Sequence, residues 1–280
     1  HPGTIMTDKP VIIPVKGSAD WEPENFSKTF SGDMILKKAL INSVNTIAAQ
    51  IVEKIGPESV TRIAKDCGIK NPLQDVYSVA LGTSGVTPFE MASAYTVFAN
   101  LGVKHEPFFF WRVEDAFGRI IFEHIVQEKR VLDPATAYQV VDMMKSVIES
   151  GSGRSIRHLG FNRPAAGKTG TTDRYNDAWF TGFTPTLCTS VWTGFDKKKK
   201  LLDVNRVGIT GGKGAAPIWA DFMTQALKSD PERDFPIPAN IRFETVDTTT
   251  GCNPKEDNEI VEVLKIPLKS DQQLCKEGEL

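Results

Sequence analysis

The stretch AAGKTGTTD at residues 165–173, together with the residues just downstream, restricts the fold of this chain more than any other feature. Gly-Lys-Thr invites a phosphate-loop reading. Such a loop needs a glycine at position 162 and must run straight into a helix, so that backbone N–H groups and the helix N-terminus face the phosphates. Asn162 stands where that glycine should be, and Pro164 removes an N–H from a loop whose work is to donate N–H groups. Downstream lies TGTTDRYNDAWFTGFTPTLCTSVWTGF, rich in Thr, Trp, Phe and Val with turn residues between, which predicts strand, turn, strand. Strands near 168–172, 176–183 and 187–195 therefore form a meander, and the lysine of the motif lies on a strand.

Helical patterns surround this meander. DMILKKALIN (33–42) has apolar residues at 35, 36, 39 and 40, the spacing of a short amphipathic helix. Ser43-Val44-Asn45 separates it from a second helix closed by Gly56, and Glu58–Cys67 forms a third. Thr87, Pro88 and Glu90 make a capping pattern before a buried helix that runs to Asn100. Residues 108–132 alternate around a turn at 116–118 and predict a strand pair; 134–149 predict a helix after Asp133-Pro134. GSGRS reads as a flexible turn, and GGKGAAP (211–217) as a lead into the helix IWADFMTQAL. The expected fold is α/β (α+β), a mainly antiparallel sheet with helices on both faces. Residues 1–238 form the main domain, and the polar stretch 239–280 is an appended C-terminal tail.

Bulk numbers narrow the function. The chain has 280 residues, 40% of them hydrophobic, enough for a sizeable core. Net charge is −2, from 33 basic and 35 acidic residues, which argues against nucleic acid or an anionic membrane as the main partner. The histidines at 1, 105, 124 and 158 are scattered, and no metal or cofactor is expected. Cys67 and Cys188 fall in apolar periodic segments and read as buried thiols. Cys252 and Cys275 bracket a polar C-terminal stretch, and a disulfide between them, which needs an oxidising compartment, and two free thiols are equal alternatives. No apolar run approaches the roughly 18 residues of a membrane span. The opening HPGTIMTDKP lacks an initiating Met and suggests an interior piece of a longer protein, with any anchor upstream.

Two short elements carry chemistry: Ser43-x-Asn45 and Lys168-Thr169-Gly170. On a continuous helix Ser43 and Asn45 would diverge by about 200°, so both reach one site only if the helix breaks between them. On a strand, Thr169 and Thr171 share one face and Lys168 starts from the other, alongside Gly170. With GTSGVTPFEMASAYTVFANLG, GSGR, AAGKTGTTDRYNDAWFTGFTP, VWTGFD and TGGKGAAPIWADFM in this order, residues 31–225 resemble the transpeptidase domain of class A, bifunctional penicillin-binding proteins.

That resemblance implies a penicillin-recognising fold that cross-links peptidoglycan stem peptides outside the cytoplasmic membrane, by acyl transfer from D-Ala-D-Ala through an acyl-serine. It implies that Ser43 relays a proton to the leaving amine, that Asn45 holds the substrate amide, and that Lys168 raises the local positive potential beside Ser43. Thr169, Gly170, Thr171 and Thr172 make the implied substrate-binding set: hydroxyls for the terminal carboxylate, the Thr171 N–H for the oxyanion hole, and no side chain at Gly170 to obstruct a peptide. β-Lactam antibiotics are implied ligands, and an upstream membrane anchor and glycosyltransferase domain are implied neighbours.

The chain departs from the family pattern in one respect: no Ser-x-x-Lys occurs at any serine from Ser18 to Ser270. In the family this nucleophile segment precedes Ser-x-Asn, so it is expected upstream of His1, and the isolated chain is expected to be inactive. A non-catalytic scaffold of the same fold and a serine β-lactamase are the alternatives.

Overall fold

The computed structural model describes residues 1–15, 17–254 and 261–274. The chain opens with β1 (Ile5–Asp8), antiparallel to β2 (Gly32–Ile35), then α1 (Leu36–Asn42), α2 (Asn45–Ile55) and α3 (Pro57–Cys67). The helix expected over 33–42 thus begins only at Leu36. Its first residues are claimed by strand pairing, because β1 supplies partners for Asp33 and Met34, and the Ile35 N–H donates to Thr248 O at 2.9 Å. Between α1 and α2 the chain breaks as expected: Ser43 takes the left-handed conformation (φ 56°, ψ 50°) and Val44 is extended.

α4 (Pro88–Ala99) starts with the expected capping box, in which Thr87 Oγ1 accepts from the Glu90 N–H and the Glu90 carboxylate accepts from the Thr87 N–H. β3 (Val103–His105) pairs with β6 (Glu128–Arg130) and encloses the hairpin of β4 (Arg112–Glu114) and β5 (Ile120–Glu123). Phe109, Phe110, Phe117 and Ile121 stand exposed on and beside that hairpin. α5 (Pro134–Glu149) is capped by the Asp133 carboxylate, which accepts from the Thr136 N–H. α6 (Ser155–His158) is a single turn.

The central sheet has the order β7 (Ala166–Thr171), β8 (Asp177–Phe183), β9 (Cys188–Gly194), all antiparallel. Residues on opposite faces of β8 enter different cores. Phe180 packs with Trp219, Ala215, Ala216 and Met223 of α7 (Gly211–Ala226), whereas Phe183 packs with Tyr138, Val141 and Met144 of α5 and touches Tyr95 of α4. The architecture is therefore an antiparallel sheet with helices on both faces. α7 begins at Gly211, earlier than expected, and carries Pro217 inside it. Glycine and proline there resemble loop punctuation, but packing overrides local preference: Ala215, Ala216 and Trp219 are fully buried.

The residues after 238, expected as an appended tail, pack on this body. β10 (Ile241–Asp247) and β11 (Val263–Lys269) form an antiparallel pair, whose Val246, Ile266 and Leu268 share a buried cluster with Ile35. The outer edge of β11 is occupied residue by residue. Lys37, buried and ion-paired with Asp142 at 2.6 Å, donates to Lys265 O at 2.7 Å; Gln139 donates to Pro267 O at 3.0 Å; Gln272 Oε1 accepts from the Lys269 N–H at 3.0 Å. The disulfide reading for Cys252 and Cys275 lies outside the described residues, because Cys275 is not among them.

Candidate active site

β7 is an edge strand, so one row of its backbone groups faces away from β8. The Thr172 N–H donates to Asp177 O at 3.1 Å, which puts the inward-bonded residues at even positions and points the N–H and C=O of Thr169 and Thr171 outward. Lys168 reaches from this strand to the break between α1 and α2. Its Nζ donates to Ser43 Oγ at 2.8 Å, across 125 positions of sequence, and to Thr169 O at 3.1 Å. Because Ser43 Oγ accepts from the ammonium, its own hydrogen is left to be donated elsewhere. Burial holds the Lys168 ammonium well below the usual lysine range, at about 8.

The two threonines sit on the other face of β7, as strand alternation predicts. Thr169 Oγ1 shares a hydrogen with Ser152 Oγ at 2.6 Å, and Thr171 Oγ1 accepts from the Gly211 N–H, the first of α7, at 3.0 Å. Ser152 belongs to the GSGR segment, which is a packed junction and not the flexible turn expected. The Ser152 N–H donates to Ile41 O of α1 at 3.3 Å, and Ser155 Oγ donates to Gly212 O at 2.8 Å. Glycine is required here by close approach. A Cβ at Gly151 would lie 2.5 Å from Ile41 O, one at Gly211 2.5 Å from Gly170 O, and one at Gly212 2.5 Å from Ser152 O. The end of α1, the GSG junction, β7 and the start of α7 thus converge on one place.

Asn45 opens α2, and its side-chain Nδ2 donates to Glu24 O at 2.8 Å. Its backbone N–H donates to Asn25 Oδ1 at 3.0 Å. Thr172 departs from expectation. Its hydroxyl donates to Asp177 Oδ2 at 3.0 Å and accepts from the Asp177 N–H at 2.8 Å, so it staples the β7–β8 turn and does not join Lys168, Thr169 and Thr171. Sequence reasoning missed Ser152 and Asn25. The two glycines around Ser152 were a signal of tight packing; Asn25 lies in a proline-bounded stretch with no periodicity to mark it.

Together these groups offer a partly buried cation, a row of hydroxyls and an outward-facing strand edge. That combination suits an extended peptide lying beside β7 with a carboxylate at its end. Cys67 and Cys188 offer no competing nucleophile, since burial pushes Cys67 up to about 11 and Cys188 up to about 12.

Comparison with known proteins adds to this geometry. The family model described as penicillin binding protein transpeptidase domain matches residues 7–223. Penicillin-binding protein 1A of Aquifex aeolicus is 38% identical over 250 residues, covering 89% of this chain and 32% of the relative. This chain therefore spans about a third of that relative's length. Among solved structures, penicillin-binding protein 1A from Haemophilus influenzae superposes with a TM-score of 0.83 at 26% identity, over 94% of this chain and 44% of that one. The PonA1 protein from Mycobacterium tuberculosis in complex with penicillin V gives 0.74 at 27% identity, over 85% of this chain and 67% of the other.

Proposed function

The chain belongs to the penicillin-binding protein transpeptidase family, and from that premise we propose that it is the D,D-transpeptidase module of a cell-wall enzyme. It cross-links peptidoglycan stem peptides by serine acyl transfer from a D-Ala-D-Ala end, and β-lactams acylate the same serine. The observation that carries this reading is the 2.8 Å bond from Lys168 Nζ to Ser43 Oγ, which joins the two chemical elements on one cleft.

The donor side of the reaction draws on groups of this chain, and the nucleophile comes from outside it. The donor peptide extends along the outward edge of β7, its terminal carboxylate near Thr169, Thr171 and Lys168, and its scissile carbonyl oxygen on the Thr171 N–H. A serine hydroxyl from a Ser-x-x-Lys segment upstream of this chain attacks the penultimate D-Ala carbonyl carbon. The bond from that carbon to the terminal D-Ala nitrogen breaks. Ser43, with its hydrogen free, protonates the leaving nitrogen and is reprotonated from the serine side through Lys168. An amine from a second stem peptide then attacks the ester, the serine oxygen leaves with a proton, and the cross-link is made. Asn45 holds a backbone amide of the donor. Gly170 keeps the strand low beside the peptide, and Thr172 supports the site through the β7–β8 turn.

The substrate lies outside the cytoplasmic membrane, so the module works there. No helix among the described residues is long and apolar enough to cross a membrane. On this reading an anchor and a glycosyltransferase domain belong to the rest of the full-length protein. A labelled penicillin tests the reading. The full-length protein should take up one covalent label, on a serine three residues before a lysine and upstream of His1, while the isolated 280 residues take up none. Stable label on the isolated chain would sink the assignment of the nucleophile.

A further inference from the structure

α2 is capped from a distance. The residue at its N-cap position is Val44, whose side chain packs beside Met34, Ala39 and Ile47 and makes no capping bond. The cap comes from Asn25: its Oδ1 accepts from the Asn45 N–H at 3.0 Å and the Thr46 N–H at 3.3 Å. Asn25 is in turn held by its own amide hydrogens, given to Asp8 Oδ1 at 2.8 Å and Thr29 O at 3.0 Å. Asp8 is 3% exposed, and its carboxylate also accepts from Thr46 Oγ1 at 2.5 Å and the Ser31 N–H at 2.8 Å. All four hydrogen-bonding positions of the Asn25 amide are thus used, which pins its orientation.

The arrangement does more than end a helix. The carbonyl next to Asn25, that of Glu24, takes one hydrogen of the Asn45 amide at 2.8 Å. Among the described residues nothing takes the second Nδ2 hydrogen or Oδ1, and both are left for a ligand. A local cap at position 44 would have served α2 as well, but it would not have held the Asn45 side chain. We propose that Asn25, locked by the buried Asp8, is a positioning residue for the transfer reaction. It sets both the start of α2 and the rotamer of Asn45, so that the Asn45 amide meets an amide of the acyl donor. This rests on the transpeptidase reading above.

The test separates positioning from helix capping. In the full-length protein, second-order acylation rates are measured with benzylpenicillin, which carries a side-chain amide, and with 6-aminopenicillanic acid, which has none. Asn25→Ala should lower the benzylpenicillin rate by about tenfold, the scale of one well-placed hydrogen bond, and the other rate by less than about threefold. Val44→Thr keeps the shape of the valine and supplies a local cap. Added to Asn25→Ala it should restore the unfolding midpoint and leave the benzylpenicillin defect in place. Equal losses for the two compounds, or recovery of the rate together with the midpoint, would overturn the proposal. Where Asn25→Ala alone fails to fold, the double variant gives the same comparison. A wild-type protein that neither compound acylates would instead defeat the transpeptidase reading itself.

Discussion

Ser43 holds a left-handed backbone that costs a residue with a Cβ about 1 kcal/mol, and it holds it at the point where its hydroxyl meets Lys168. Glycine would adopt this conformation without strain. In Ser43→Gly the relief of about 1 kcal/mol and the loss of a hydrogen bond of similar size nearly cancel. The unfolding midpoint should stay close to that of the wild type, while the relay role proposed for Ser43 requires turnover by the full-length protein to fall about a hundredfold or more. A large drop in the midpoint would mean that the serine is there for stability. Lys168 gives a second, pH-dependent signature. Its ammonium is depressed to about 8 in the folded chain against 10.5 for an ordinary lysine, so between these values the unfolded chain binds more protons than the folded one. Stability should therefore rise with pH across that window, and Lys168→Met should flatten the rise in a series of thermal melts from pH 7 to pH 11. Donor peptides ending in carboxylate should bind less well as the pH passes about 8 and the cation is lost.

At the scale of elements, the start of α4 shows how a short motif becomes a tertiary anchor. Glu90 is 7% exposed, and its carboxylate takes the N–H groups of Thr87, Lys70 and Asn71. Burial pushes its carboxyl up, but those backbone hydrogen bonds outweigh burial and hold it below its ordinary 4.5. Glu90→Gln should cost about 1–3 kcal/mol at neutral pH. The stability that Glu90 confers through its depressed carboxyl is present above its ordinary value and lost as pH falls through the folded one. Urea melts of the two proteins should therefore converge in that acidic range, and a difference that persisted would place the effect in packing alone. The Thr-Pro-x-Glu pattern made this helix start legible without a structure, because every bond in a capping box is local. The meander was legible for the same reason, with strand alternation assigning Thr169 and Thr171 to one face and Lys168 to the other. The first residues of 33–42 were not legible. Their strand character comes from β1, more than twenty positions away, and from Thr248. Nor was the start of α7, where glycines chosen for close approach to Gly170 and Ser152 look like loop residues. Asn25 was hidden because a cap delivered from another segment leaves no mark at the helix it serves.

For the whole molecule, the strand pair after residue 238 bears on the distant cleft. Lys37 lies on α1, the helix that ends at Ser43, and donates to a β11 carbonyl; Lys38 of the same helix bonds Thr248 Oγ1 at 3.3 Å. Removing residues 239–280 would expose Ile35 and take away the carbonyl partner of a buried ammonium. A loss of at least about 2 kcal/mol is expected, lowering the unfolding midpoint by roughly 4–8 °C. Amide exchange should accelerate in α1 before α7. An unchanged midpoint would show the strand pair to be dispensable.

Proline at 267 has a consequence for which extended segments this molecule can recruit. Any sheet border tempts stray polypeptide to add itself as one more rung. On β11 that invitation is withdrawn: one donor is missing by chemistry, and neighbouring side chains have already claimed the positions on either side. The border along β7 has kept the polar groups of Thr171 turned toward solvent. A passing peptide therefore finds one rim closed to zippering and another beside Lys168, so the seal on the far hairpin protects that hairpin against self-association.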